Sequence, residues 1–235
     1  MELARRRMVT SRSQAESWIK MGKVRVGGQV VTRPGTFITE RAEIILDADS
    51  QYVSRAGLKL ASVASVLNLD FKDKIVLDVG SSTGGFTDYA LRHDAKKIYA
   101  VDVGTQQLHQ SLRGDHRVEL HEKTDIRDFK MSEQPDVVVI DVSFISLQAI
   151  LPAVACLCGL QTIIVAMAKP QFEAEITEVS KGVIKNDTMR RLIFKRLEAF
   201  LRGDFVIIDK ADSEVAGAKG NRERFYKIAL MKRKS

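Results

Sequence analysis

Lys74 to Leu91, KIVLDVGSSTGGFTDYAL, confines this chain more than any other stretch, because it reads as a buried strand, a glycine-rich turn and a helix start in immediate succession. The strand is Ile75-Val76-Leu77, closing on Asp78-Val79-Gly80. Gly80, Gly84 and Gly85 let the backbone turn tightly and approach a ligand where a Cβ would clash. Phe86 to Leu91 continues as a helix whose first amides face the turn. Such an arrangement makes a nucleotide-type cofactor pocket. A dinucleotide site would show G-x-G-x-x-G around a pyrophosphate. Here the order is D-V-G-S-S-T-G-G, with Asp78 two residues before Gly80. A carboxylate there disfavours a phosphate and suits a cationic or hydroxyl-bearing ligand.

The next strand, Lys97 to Val103, ends near Asp102, which lies 24 residues after Asp78, where an acidic residue takes ribose hydroxyls in such sheets. Strands and helices go on alternating, as a doubly wound parallel sheet requires. Pro135 to Asp141 and Thr162 to Lys169 are further buried strands, and Phe205 to Asp209 and Arg224 to Met231 are the last. Asn186 to Leu201 reads as a helix with Leu192, Ile193, Leu197 and Leu201 inward. These features resemble a class I S-adenosylmethionine-dependent methyltransferase. The resemblance implies an α/β, Rossmann-like fold with a seven-stranded, mostly parallel sheet. It also implies that Asp78, Gly80, Ser82, Thr83, Gly84, Gly85, Phe86 and Asp102 bind the cofactor, with Asp125 taking the adenine amino group.

The net charge of +7 is unevenly spread. Residues 1–33 carry +6 and residues 217–235 another +6, which leaves −5 between them. Basic ends around an acidic middle suit a polyanionic partner gripped from two places. Residues 1–46 form a small α+β unit of their own. Ser11 and Ser13 can cap a helix that places Ala15, Trp18 and Ile19 at helical spacing. Val24-Arg25-Val26 and Val30-Val31 alternate across Gly27-Gly28 as a hairpin, and Glu43 to Leu46 supplies a last strand. The run SRSQAESWIKMGKVRVGGQVVTRPG resembles the S4 RNA-binding domain, with Val24-Arg25-Val26-Gly27-Gly28 where that family commonly shows Val-x-Val-Asn-Gly. The family's usual leading Arg-Leu-Asp segment is missing before Glu2-Leu3-Ala4, so the unit reads as shortened at its start. The resemblance implies RNA contacts from Arg5, Arg6, Arg7, Arg12, Lys20, Lys23 and Arg25, joined by Arg55. Residues 47–53 are then a linker and 54–235 the catalytic domain.

Ligands in open parallel sheets bind beyond the carboxyl ends of the strands. Asp141 follows Val137-Val138-Val139-Ile140 there, and Lys169 follows Val165-Ala166-Met167-Ala168, so opposite charges end two strands beside the cofactor turn. With SRAGLKL and GNRE these segments resemble the FtsJ-like ribose 2′-O-methyltransferases, which use a Lys-Asp-Lys-Glu tetrad. Together with the S4-like front end, LDVGSSTGGFTD, DVSFISL and KPQFE, the whole chain is similar to the TlyA family of ribosomal RNA methyltransferases. On that resemblance Lys59, Asp141, Lys169 and Glu223 are the tetrad. Lys169 is the base or alkoxide stabiliser, and Asp141 and Glu223 orient the two lysines. The acceptor implied is a cytidine ribose, in 23S ahead of 16S rRNA.

Competing readings are a base or small-molecule methyltransferase, a membrane-active haemolysin, whose label the family has also carried, and a catalytically silent RNA-binding assembly factor. A base methyltransferase would favour Asn/Asp-Pro-Pro-Tyr at the strand end, where this chain has Asp141-Val142-Ser143-Phe144. Against a haemolysin, MELARRRMVTSRSQ lacks a signal peptide's apolar segment, and the run Leu151–Met167 is short for a membrane span and broken by Gly159-Leu160-Gln161. Cys156 and Cys158, the only two cysteines, read as buried, reduced thiols of a cytoplasmic protein. His93, His109, His116 and His121 have no metal-binding spacing and are expected at the surface. Pro170 to Lys185 is long enough for a mobile flap over the substrate.

Overall fold

The computed structural model describes residues 2–9, 15–16, 18–19, 22–46, 52–179, 182–184, 186–217 and 220–232. A short helix, α1 (Glu2–Arg5), comes first, and Ala15, Glu16, Trp18 and Ile19 are helical as their spacing requires. Strands β1 (Val24–Val26) and β2 (Gln29–Val31) form the expected hairpin through Gly27-Gly28. The third strand, β3 (Ile44–Leu46), pairs antiparallel on the other side of β1. Alternation assigns the faces. Val24 is buried with Leu3, Ala15 and Trp18, while Arg25 and its ladder partners Val30 and Ile45 are exposed. Nothing in the sequence reading marked α1. Arg6 braces it by donating to the Ala42 and Glu40 carbonyls at 2.8 Å each.

Helix α2 (Arg55–Ala64) leads into the larger unit. Its strands are β4 (Ile75–Val79), β5 (Lys97–Val101), β6 (Val118–His121), β7 (Val137–Ile140), β8 (Ile163–Ala168), β9 (Phe205–Asp212) and β10 (Arg224–Leu230). They form one sheet in the order β6-β5-β4-β7-β8-β10-β9. Strands β4 to β8 pair in parallel, and β10 runs antiparallel to both β8 and β9. Helices α3 (Gly85–Arg92), α4 (Gln110–Arg113), α5 (Leu147–Leu157), α6 (Pro170–Glu173) and α7 (Asp187–Asp204) complete the fold. Strand positions alternate between two cores. Leu77, Val138 and Ile164 pack with α5 and α7, whereas Val76, Val139 and Val165 pack with α2 and α3. The chain winds outward from β4 to β6 and then returns to β7 on the other side of β4. That reversal opens a crevice at the carboxyl ends of β4 and β7.

Several expectations need correction. Leu192 is 46% exposed, because the inner stripe of α7 runs Arg190, Ile193, Phe194, Leu197, Leu201, and Leu192, about 200° round the helix from Arg190, faces nearly the opposite way. Cys156 is exposed and Cys158 buried, since residues two apart near a helix end point to opposite sides. His121 is half-buried, edge-on to Phe129 with ring centroids 4.8 Å apart. Among its described residues, the segment from Pro170 to Lys185 is not bare loop. Pro170 starts α6, Glu178 accepts from Arg196 at 2.5 Å, and Glu173 closes the start of α5 by accepting from the Leu147 amide at 2.8 Å and the Ser146 hydroxyl at 2.6 Å. Lys185 itself, like most of the 47–53 linker, lies outside the described residues.

Candidate active site

A cleft of about 370 Å³ fills the crevice, walled by Gly80, Ser82, Asp102, Asp125 and Asp141 with the apolar Ile126 and Val142. Gly80 is required there. Its φ is +80°, and a Cβ would stand 2.7 Å from the Asp141 carbonyl oxygen. Asp102 fastens two turns at once, since its Oδ2 accepts from the Ser82 amide at 2.8 Å and its Oδ1 from the Gly104 amide at 2.7 Å. Asp125 is gripped by the Arg127 guanidinium at 2.7 and 3.0 Å, which holds its carboxyl below the usual range.

Asp78 stands behind the cleft, fully buried. The Thr87 hydroxyl donates to its Oδ2 at 2.6 Å, and its Oδ1 has no partner. Burial pushes this carboxyl up to about 7, with the charges of Asp141 and Asp102 adding to the effect and Thr87 opposing it. Of the residues expected to hold a cofactor, Gly80, Ser82, Asp102 and Asp125 line the cleft; Asp78, Thr83, Gly84, Gly85 and Phe86 do not. Phe86 in particular is 1% exposed and packs on Phe225, because the second residue of α3 faces the sheet.

On the other side of Asp141 lie two lysine–carboxylate pairs. Lys169 Nζ is 2.6 Å from Asp141 Oδ1 and donates to Ser143 Oγ at 2.7 Å. Lys59 Nζ is 2.5 Å from Glu223 Oε2, and these side chains are only 10% and 2% exposed. The sheet register brings the two pairs together. Ala168 is the ladder partner of Arg224, so Lys169 and Glu223 leave adjacent strands at the same end. Asn221 secures the approach to β10, accepting from the Ile184 amide at 3.0 Å and donating to the Gly182 carbonyl at 3.0 Å.

The expected RNA contacts are more scattered. Arg5, Arg7, Lys23 and Arg25 are exposed on the N-terminal unit, Arg6 serves as the brace of α1, and Arg55 is half-buried at the start of α2. Arg12 and Lys20 lie outside the described residues.

The family model of the FtsJ-like methyltransferases matches residues 52–229, and that of the S4 domain matches residues 2–44. Hemolysin A of Brachyspira hyodysenteriae is 40% identical over 219 residues, covering 91% of each chain. The 23S rRNA (cytidine-2'-O)-methyltransferase TlyA of Campylobacter jejuni is 42% identical over 180 residues, covering 74% of this chain and 70% of that one. A putative hemolysin from Streptococcus thermophilus superposes with a TM-score of 0.75 at 36% identity, covering 95% of this chain and 84% of the other. The chain belongs to the TlyA family of FtsJ-like methyltransferases. Haemolysin survives in this family as the name of relatives. In this TlyA-family chain no helix among the described residues is long and apolar enough to cross a membrane.

Sequence reasoning passed over three residues of the site. Ser143 shares Lys169 with Asp141. Phe144 is 91% exposed with φ +66°, its ring 5.2 Å from that of Phe172. Glu173 anchors the segment that carries Phe172. All three sit in DVSFISL and KPQFE, where the positive φ of Phe144 has no signature in residue type.

Proposed function

We propose that this chain methylates a ribose 2′-hydroxyl of ribosomal RNA in the cytoplasm, with S-adenosyl-L-methionine as donor. The observation that carries the reading is the placement of two buried lysine–carboxylate pairs at the end of β7, β8 and β10, with Asp141 shared between them and the acidic cleft. A cytidine of 23S rRNA is the acceptor favoured by the Campylobacter relative's name.

The cleft fits the donor. Three carboxylates and a glycine-opened backbone suit a sulfonium and ribose hydroxyls, the volume lies in the range of small-molecule sites, and Asp78, with its orphaned Oδ1, stands behind it as a carboxyl that a bound cation would help to ionise. Asp102 would hold the ribose, Asp125 the adenine amino group, and Gly80 and Ser82 the methionine end. When bound, S-adenosyl-L-methionine supplies a methyl group on a good sulfur leaving group.

The chain's own residues handle the acceptor. A 2′-hydroxyl is a poor nucleophile at neutral pH, so its proton must be drawn off as the oxygen attacks. Lys169 is placed to take that proton on its amine and then to steady the oxygen, with Asp141 fixing the amine and offsetting the charge it gains. Glu223 would orient Lys59 beside them and offset its charge. The exposed cations of the N-terminal unit, Arg5, Arg7, Lys23 and Arg25, would grip phosphates and deliver the nucleotide.

The test is methyl transfer to ribosomal RNA by Lys169→Ala and Asp141→Asn proteins that still bind the cofactor. Each is expected to lose roughly 10²- to 10⁴-fold in kcat, the range of a lost acid–base or electrostatic group. Wild-type rates in either would sink the assignment. Mass mapping of 2′-O-methyl nucleotides in rRNA from cells with and without the protein identifies the acceptor. Liposome leakage at low protein concentration would instead favour the haemolysin reading.

A further inference from the structure

The apolar core of the N-terminal unit does not close on itself. Leu3, Val9, Ala15, Trp18 and Val24 are completed by two residues of the catalytic domain, Leu58 and Val215. Both are buried, at 1% and 4% exposure. Each also adjoins one half of the Lys59–Glu223 pair.

Leu58 directly precedes Lys59 in α2. Successive helical residues are about 100° apart, so the N-terminal unit, by gripping Leu58, sets the rotation of α2 and thereby the direction of Lys59. Val215 lies in the loop between β9 and β10, which is stitched to Glu223. The Ser213 amide donates to the Glu223 carbonyl at 2.9 Å, and the Gly217 amide to the Asn221 carbonyl at 2.8 Å. The Ser213 hydroxyl donates to the Val215 carbonyl at 2.9 Å. A Cβ on Gly217 would run into the Glu223 carboxylate, so loop and side chain are in direct contact. The two segments are also tied to each other: the Ser62 hydroxyl donates to the Lys59 carbonyl at 2.7 Å and accepts from the Glu214 amide at 3.4 Å.

We infer that Leu58 and Val215 are positioning residues for the Lys59–Glu223 pair, and that the N-terminal unit, by completing the core around them, is part of the catalytic apparatus and not only a tether for RNA. This rests on the reading of that pair as catalytic. Two routes from the N-terminal core converge on opposite members of one buried ion pair at 2.5 Å, and such a pair has little slack. A shift of about 1 Å at reacting groups can cost on the order of a hundredfold in rate, so partial loosening should be visible in kcat.

The experiment uses the full chain with Leu58→Ala and Val215→Ala, and Val154→Ala as a core truncation of similar kind in α5, packed away from both segments. It measures kcat, KM for rRNA, cofactor Kd, and the rate at which acetic anhydride acetylates Lys59, mapped by mass spectrometry. Leu58→Ala and Val215→Ala should lower kcat roughly tenfold while KM and cofactor Kd stay within about twofold, the pattern of lost alignment and not lost binding. Their Lys59 should acetylate at least about threefold faster, as an amine does once a buried ion pair opens. Val154→Ala should lower Tm yet leave kcat and labelling at wild-type values, and Leu58→Met should recover most of kcat. Wild-type kcat and wild-type labelling in both alanine variants would overturn the inference, as would a loss confined to KM. Lys59 labelling needs no turnover. If the wild-type protein transfers no methyl to RNA, the functional reading fails, while labelling still decides whether the N-terminal core holds the pair.

Discussion

Asp78→Asn is the sharpest perturbation of the fold's most unusual group. Asp78 is fully buried, and its carboxyl is pushed from the ordinary 3.8 up to about 7, burial being the main cause. In the unfolded chain the same group loses its proton near 3.8. Between those values the folded state keeps a proton that the unfolded state has released, so stability falls as pH rises from about 4 to about 7. At 1.36 kcal/mol for each tenfold in proton affinity, the full penalty is about 4 kcal/mol, present above pH 7 and absent below pH 4. Asparagine has nearly the same shape, and its carbonyl oxygen can still accept from the Thr87 hydroxyl, now 2.6 Å from Oδ2. Its amide replaces an Oδ1 that has no partner. The variant should therefore match wild type near pH 4 and gain on it steadily to pH 8. Urea unfolding of cofactor-free protein at several pH values measures the gain. Parallel stability curves for the two proteins, or a variant weaker at pH 8, would refute the assignment of a protonated, desolvation-dominated Asp78. A cationic ligand in the cleft favours the ionised form, so wild-type affinity for S-adenosyl-L-methionine should strengthen from pH 6 to 8, and that of Asp78→Asn should not.

Asp102→Ala removes an acceptor from two backbone amides as well as the carboxylate proposed for the ribose; cofactor affinity by calorimetry should fall more than about tenfold, since hydrogen bonds to charged groups contribute roughly 1.5–3 kcal/mol. Glu173→Ala uncaps α5 by taking away bonds at 2.8 and 2.6 Å and should cost about 2 kcal/mol of unfolding free energy, read by urea denaturation, with a smaller effect on cofactor affinity. Replacing Arg7, Lys23 and Arg25 together by alanine should weaken RNA binding uniformly across sequences and flatten its salt dependence, by up to about one unit of slope for every phosphate that is no longer neutralised. An unchanged slope would move the RNA grip away from this face.

How far the sequence reaches is clearest at the site itself. Asp141 and Lys169 are visible as polar residues ending apolar strands, because a buried parallel strand is apolar throughout and its end is not. Lys59 and Glu223 carry no such mark. One is buried in the middle of α2 and the other precedes β10, and they matter only because antiparallel β10 inserts beside β8 and sets Glu223 next to Lys169. Phe86 shows the opposite error. Its place beside the glycine turn suggests a ligand contact, but helical rotation turns it into the core. Leu192 fails for a related reason, since apolar type alone does not tell which face of a helix a residue occupies.

By itself the sequence determined the glycine turn after β4, the alternation that makes a doubly wound sheet, and the hairpin of the N-terminal unit. Each is a local pattern of glycines, apolar periods and strand ends, and short-range sterics dictate its outcome. Tertiary structure alone decided which carboxylate meets which lysine, that Asp78 is sealed away from water, and that the N-terminal core closes on Leu58 and Val215. Those depend on strand order and on how two units pack. Packing brings together residues up to about two hundred positions apart, and no local preference encodes a distance of that kind.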